Sequence, residues 1–206
     1  MTETMAFPSR DSLRAWLFNP FHFIAGGRAL AMGLAVLLLA GYNGSVSNSH
    51  FDGVLDFHTG AAAPLWLFLV EGGISWVSAA LPLCLAGLLI SKSRMRSIDV
   101  FGTAALARFP TLVMAFVALL PGYQRQIGRL TVMNLESIPA DMAAFSFVAL
   151  MVVAMLIWMV ILMYNGFSVS CNARGWKAVT AFVVATLFGE IISKALIVVL
   201  AVWAMG

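Results

Sequence analysis

Glu71, Arg108, Glu190 and Lys194 stand inside long apolar stretches of the sequence. A charge carried to the centre of a bilayer costs roughly 2.5–3.5 kcal/mol on insertion scales, so such a residue is expected to pair, to bind or to conduct. Two of the four are acids and two are bases, a balance that favours mutual neutralisation. Ser75, Ser78 and Pro82 follow Glu71 at helical spacing, and Thr186 and Ser193 share a face with Glu190 and Lys194, which predicts two inward-facing polar stripes. Glu190 precedes Lys194 by four residues, the favourable order for a pair on one helix. Arg108 lies about ten residues into its apolar stretch, ~15 Å deep, and Glu71 enters from the opposite side to ~12 Å. These depths predict an ion pair between Glu71 and Arg108. The eight residues then form either a polar core that fixes how the helices meet, or the lining of a path for protons, ions or a solute. Asp99 stays outside the set, at a membrane edge beside Arg96.

A second constellation lies between the first two apolar stretches, where His50, Asp52, Asp56 and His58 fall within nine residues. These are the donors a zinc-like divalent ion takes, and with a bound ion they would make a membrane hydrolase conceivable. Their spacing matches no zinc signature. Phe51, Val54 and Leu55 interleave with them, so the segment also reads as a re-entrant or amphipathic piece dipping into the interface. The sequence carries no G-x-S-x-G, Walker loop, H-E-x-x-H or dinucleotide fingerprint, and no cofactor is expected from it.

The elements that must hold these residues are membrane helices. Apolar residues make up 62% of the 206 and charged ones 10%, against roughly 45–50% and about 25% in soluble domains. The mean hydropathy is +0.96. Spans of about 20 apolar residues satisfy their backbone amides in lipid by becoming helices. Five are predicted, at about 22–42, 63–90, 98–121, 142–164 and 178–204. Residues 21–206 then form one all-α membrane domain behind a head at 1–20. Pro82 and Pro110 are expected to bend their helices. Gly26, Gly27, Gly33, Gly41, Gly72, Gly73 and Gly87 are expected at helix contacts. In the head, Leu13, Trp16 and Leu17 face one way and Arg10 and Arg14 the other, a short interfacial helix stopped by Asn19-Pro20. The first apolar run starts too late and continues too far for a cleaved signal peptide.

The loops set the expected orientation. Arg10, Arg14, Arg28, Lys92, Arg94, Arg96, Arg174 and Lys177 lie on one side, Arg125 and Arg129 on the other, and 43–62 has no Lys or Arg. The positive-inside rule then predicts a cytoplasmic N-terminus and an external C-terminus. A net charge of +3, spread through short loops, offers no nucleic-acid patch. Cys84 and Cys171 are too few for a disulfide framework and read as structural thiols.

Trp16…Asn19-Pro20, Phe51-Asp52-Gly53-Val54-Leu55-Asp56 and Gly102-Thr103-Ala104-Ala105-Leu106-Ala107-Arg108-Phe109-Pro110, with five spans, together resemble the Yip family of Ypt/Rab-interacting membrane proteins, in particular its short bacterial members. The resemblance implies a five-helix, non-enzymatic integral membrane protein, here of a bacterial inner membrane. It further implies a role in membrane organisation or traffic, a protein partner on the cytoplasmic side, and room for self-association. Its eukaryotic members bind prenylated Rab GTPases and carry a long N-terminal region and an aspartate-leucine-tyrosine-glycine-proline motif, both missing from this sequence. A small transporter or channel using the intramembrane charges is the competing expectation.

Overall fold

A computed structural model describes residues 12–91, 93–124 and 142–205. Arg10, Lys92, Arg125 and Arg129, with most of the head, lie outside the described residues. Among those described, five helices are long and apolar enough to cross a membrane: Gly26–Ser47, Leu65–Ile90, Ser97–Ala118, Ala149–Cys171 and Trp176–Val202. They are preceded by α1 (Leu13–Phe18), capped by Ser12, whose hydroxyl accepts from Ala15 N–H at 3.4 Å.

The first span, α2 (Gly26–Ser47), begins later than expected because Pro20–His22 forms a separate 3₁₀ turn. It ends where Asn48 adopts the left-handed conformation, φ 54°, and returns its N–H to Gly44 O. Asparagine is one of the few residues that tolerate this cap. Ser49–His50 (β1) then pairs antiparallel with His58–Thr59 (β2). The second span, α3 (Leu65–Ile90), runs through Pro82 as one helix.

The third span is broken in two. Helix α4 (Ser97–Leu106) stops, Ala107 and Arg108 form a turn, and α5 (Phe109–Ala118) resumes. Pro110 favours the break: it has no N–H for the Leu106 carbonyl, and its ring crowds that carbonyl in a continuous helix. In the first turn of α5 the missing donor is harmless. The fourth and fifth spans are α6 (Met142–Cys171) and α7 (Trp176–Met205). Helix α6 continues past the expected end near residue 164. Its polar residues there find partners, as Asn165 Nδ2 donates to Phe18 O at 2.7 Å.

The α4–α5 span is the axis of the bundle. It is 72% buried, against 22–44% for the other four. Helix α2 packs along it on one side and α6 on another, while α7 packs mainly against α3. Close approach follows small residues. A Cβ on Gly41 would meet Leu69 at 2.9 Å and one on Gly87 the Cys171 sulfur at 2.5 Å, and Gly33 abuts Ala105 and Leu106. Gly27, Gly72 and Gly73 have open space instead. Cys84 and Cys171 are both buried free thiols.

Candidate functional site: a loop gripped at membrane depth

The segment 51–57 between β1 and β2 does not lie on the surface. It folds into the bundle, and Val54 at its tip is fully buried in the main apolar core with Leu83, Leu106 and Phe182. Non-helical backbone at this depth is tolerated only where protein groups satisfy it. The charged residues of the spans are those groups.

Arg108, 3% exposed, projects from the turn between α4 and α5. Its Nη2 donates to Gly53 O at 3.0 Å and Val54 O at 3.1 Å. Nη1 donates to Ser75 Oγ at 2.6 Å, and Nη2 also contacts that hydroxyl. Ser75 in turn donates to Gly53 O at 2.6 Å. From the other side Leu55 N–H donates to Glu190 Oε2 at 2.9 Å. Val54 O and Leu55 N–H belong to one peptide group. That peptide is held between a guanidinium at its carbonyl end and a carboxylate at its amide end, so its dipole is aligned with both charges. A Cβ on Gly53 would lie 2.6 Å from both Glu190 Oε1 and Asp56 Cβ, so a larger residue there would displace the grip. The void beside Arg108, Ser75 and Thr111 measures about 10 Å³, at most the room of one water molecule.

Glu71 does not pair with Arg108. It lies 5% exposed and engages His50, whose Nδ1 is 3.0 and 3.1 Å from the two carboxylate oxygens. His50 Nε2 lies 3.2 Å from Ala61 O. Both ring nitrogens therefore face acceptors, which fits an imidazolium with two N–H donors. The ring is stacked on Phe68 at 4.5 Å and on His58 at 5.4 Å. The hydrogen bond to Glu71 raises the His50 pKa above its ordinary 6.5, against the effect of burial.

Nor do Glu190 and Lys194 pair with each other. Lys194 bridges Asp52, at 3.2 Å, and Asp56. His58 Nδ1 lies 3.6 Å from Asp52. Asp52, Asp56 and His58 thus come together with donor atoms within 4.8 Å of one another, a set that could ligate a metal. The Lys194 ammonium already sits between the two carboxylates, and His50 is held away by Glu71. This group is half open: the Lys194 side chain is 42% exposed and that of His58 47%. Burial disfavours the Asp56 carboxylate, but Lys194 and His58 outweigh it and hold its pKa below the usual range.

Three hydroxyls of the expected polar stripes take no part. Ser193 Oγ donates to the Glu190 carbonyl of its own helix at 2.9 Å. Ser78 and Thr186 are buried, and their hydroxyls have no hydrogen-bond partner among the described residues. Ser78 lies where α7 meets α3: a Cβ on Gly189 would overlap its carbonyl, so small residues serve close packing there. Sequence reasoning missed the backbone of Gly53, Val54 and Leu55 as the principal partner of the charges. The available signal was a glycine and two aliphatic residues flanked closely by Asp and His. No family model, curated protein or solved structure matches this chain.

Proposed function

We propose that this chain is a non-enzymatic, Yip-like integral membrane protein with a role in membrane organisation or traffic, or in recruiting a protein partner at its cytoplasmic face. Its intramembrane charges hold the fold rather than move a substrate. The observation that carries this reading is the Val54–Leu55 peptide clamped between Arg108 and Glu190, with about 10 Å³ of free space beside the guanidinium. Charges committed to backbone groups in a dry setting are not free to shuttle ions. By the loop charges, the N-terminus is cytoplasmic and the C-terminus external, and a bacterial inner membrane is the setting.

Orientation can be tested by labelling, because Cys84 and Cys171 are buried and should stay silent. A membrane-impermeant maleimide should label Ala62→Cys in intact cells and Lys177→Cys only after permeabilisation; the reverse pattern inverts the assignment.

The half-open Lys194, Asp52, Asp56 and His58 group supports a second reading, a small transporter. Purified protein in liposomes with a pH-sensitive dye and a panel of ions separates the two. The structural reading expects leak rates equal to empty liposomes. Protein-dependent flux, abolished by a folded Lys194→Met variant, would replace it with the transporter.

A further inference from the structure

An apolar groove of about 490 Å³ runs between α3 and α7, lined by residues of these two helices and by none of the gripped loop. On α3 it extends from Pro82 to Ile90 and on α7 from Trp176 to Phe188. At 1.5 Å per residue these are ~12 and ~18 Å. The hydrocarbon of one leaflet is ~15 Å thick, half of a ~30 Å core. The groove therefore starts at one end of the bundle and stops near mid-bilayer, which is the path of a single acyl chain. Ala86 and Ala181 lie along it, and their small side chains keep it open.

The mouth is of a different character. Trp176 and Lys177 line it, with the Lys177 ammonium 5.9 Å from the Trp176 ring centroid. Trp176 is 72% exposed, as befits an indole at headgroup depth. The same end of the bundle presents Arg94 and Arg96 in the loop after α3, both exposed, while Asp99, at the start of α4, is partly buried. A cation at the mouth and a leaflet-long apolar slot below it complement an anionic amphiphile.

We propose that this groove binds one anionic phospholipid, an acyl chain between α3 and α7 and the phosphate on Lys177. The inference depends on the five helices spanning a bilayer and not on the role assigned to the protein.

Trp176 is the natural reporter. The protein is reconstituted in vesicles containing phosphatidylglycerol or phosphatidylcholine with the same brominated chains, and quenching due to Trp176 is taken as the difference from Trp176→Phe. Brominated phosphatidylglycerol should compete for the site about fivefold better than phosphatidylcholine, the effect of one cation near a headgroup. Lys177→Gln, at an exposed position, should bring that ratio close to one with the fold intact. Ala181→Phe should fill the slot and reduce Trp176 quenching by both lipids. Equal quenching by the two lipids in the wild type, or a preference that survives Lys177→Gln, overturns the proposal. So does Trp176 quenching too weak to register, with cross-linking through the groove showing a second copy seated there.

Discussion

Arg108 is 3% exposed and the Lys194 side chain 42%, although both serve the same loop. Arg108 binds backbone: two carbonyls of the loop tip and the serine that also binds one of them. Lys194 binds side chains, Asp52 and Asp56, at the loop's rim. A buried charge that satisfies backbone groups cannot be removed without stranding them, because no water replaces it. A half-open ion pair loses its partner to solvent and is screened. The same residue types are thus a structural necessity in one place and an adjustable contact in the other, and exposure rather than charge decides which.

The comparison breaks most sharply at Arg108. Arg108→Met should cost about 3–5 kcal/mol, the scale for stranding the partners of a buried charge. Arg108→Lys should recover only part of the loss, because an ammonium cannot reproduce the planar fork that reaches Gly53, Val54 and Ser75 together. Denaturation in detergent micelles would measure both. A loss at Arg108→Met no larger than that at Lys194→Met would remove the distinction between the two regions.

Glu190→Gln comes next. The amide oxygen can still accept from Leu55 N–H, so the contact survives while the charge opposite Arg108 is lost. The difference between a charge-assisted and a neutral hydrogen bond predicts about 1–2 kcal/mol. Glu190→Leu, which strands the amide as well, should cost more; equal losses for the two would mean that the hydrogen bond to Leu55 is not what Glu190 contributes.

These two residues also mark how far the sequence could be read. Five apolar stretches announced five helices, because hydropathy over 20 residues is a sum that single side chains do not upset. The inward faces of Glu71, Ser75 and Ser78 followed from helical period alone. Partnership did not. Depth places Glu71 and Arg108 at similar levels, but it is one coordinate of three, and says nothing about which helix faces which. It also presumes that charges meet charges. Here Arg108 and Glu190 meet a peptide group supplied by the loop, and no side-chain pattern records the hydrogen-bonding needs of a backbone. Pro110 is a parallel case: its position foretold a bend, but the bend is a two-residue turn that aims Arg108 at the loop.

The His50–Glu71 pair lies between the two extremes, buried like Arg108 but titratable. Its pKa is raised above 6.5 by Glu71, so the folded protein holds a proton that the unfolded chain releases near that value. The stability this contributes is fully present below the unfolded pKa and is lost as pH rises through the folded one. Groups facing the ring are Glu71 and Phe68 from α3, His58 from β2, the Ala61 carbonyl, and Asp52 at longer range. Stability in detergent should therefore fall from mildly acidic to mildly alkaline pH, and Glu71→Gln should flatten that slope. An unchanged slope in Glu71→Gln would assign the proton to another group.

The smallest effect belongs to the rim. Asp56→Asn removes one of two carboxylates from an ammonium that keeps Asp52, and the half-exposed setting limits the loss to about 1 kcal/mol or less. Because the folded pKa of Asp56 is lowered from 3.8, its contribution is present above that value and fades as pH falls through the lowered one. It should also shrink as salt shortens the screening length to ~3 Å at about 1 M, whereas the loss at Arg108→Met should hardly respond to salt. Measuring both variants at low and high salt therefore separates a contact reached by solvent from one sealed against it. A salt-insensitive Asp56 would place the rim inside the dry core and make the whole loop one structural unit.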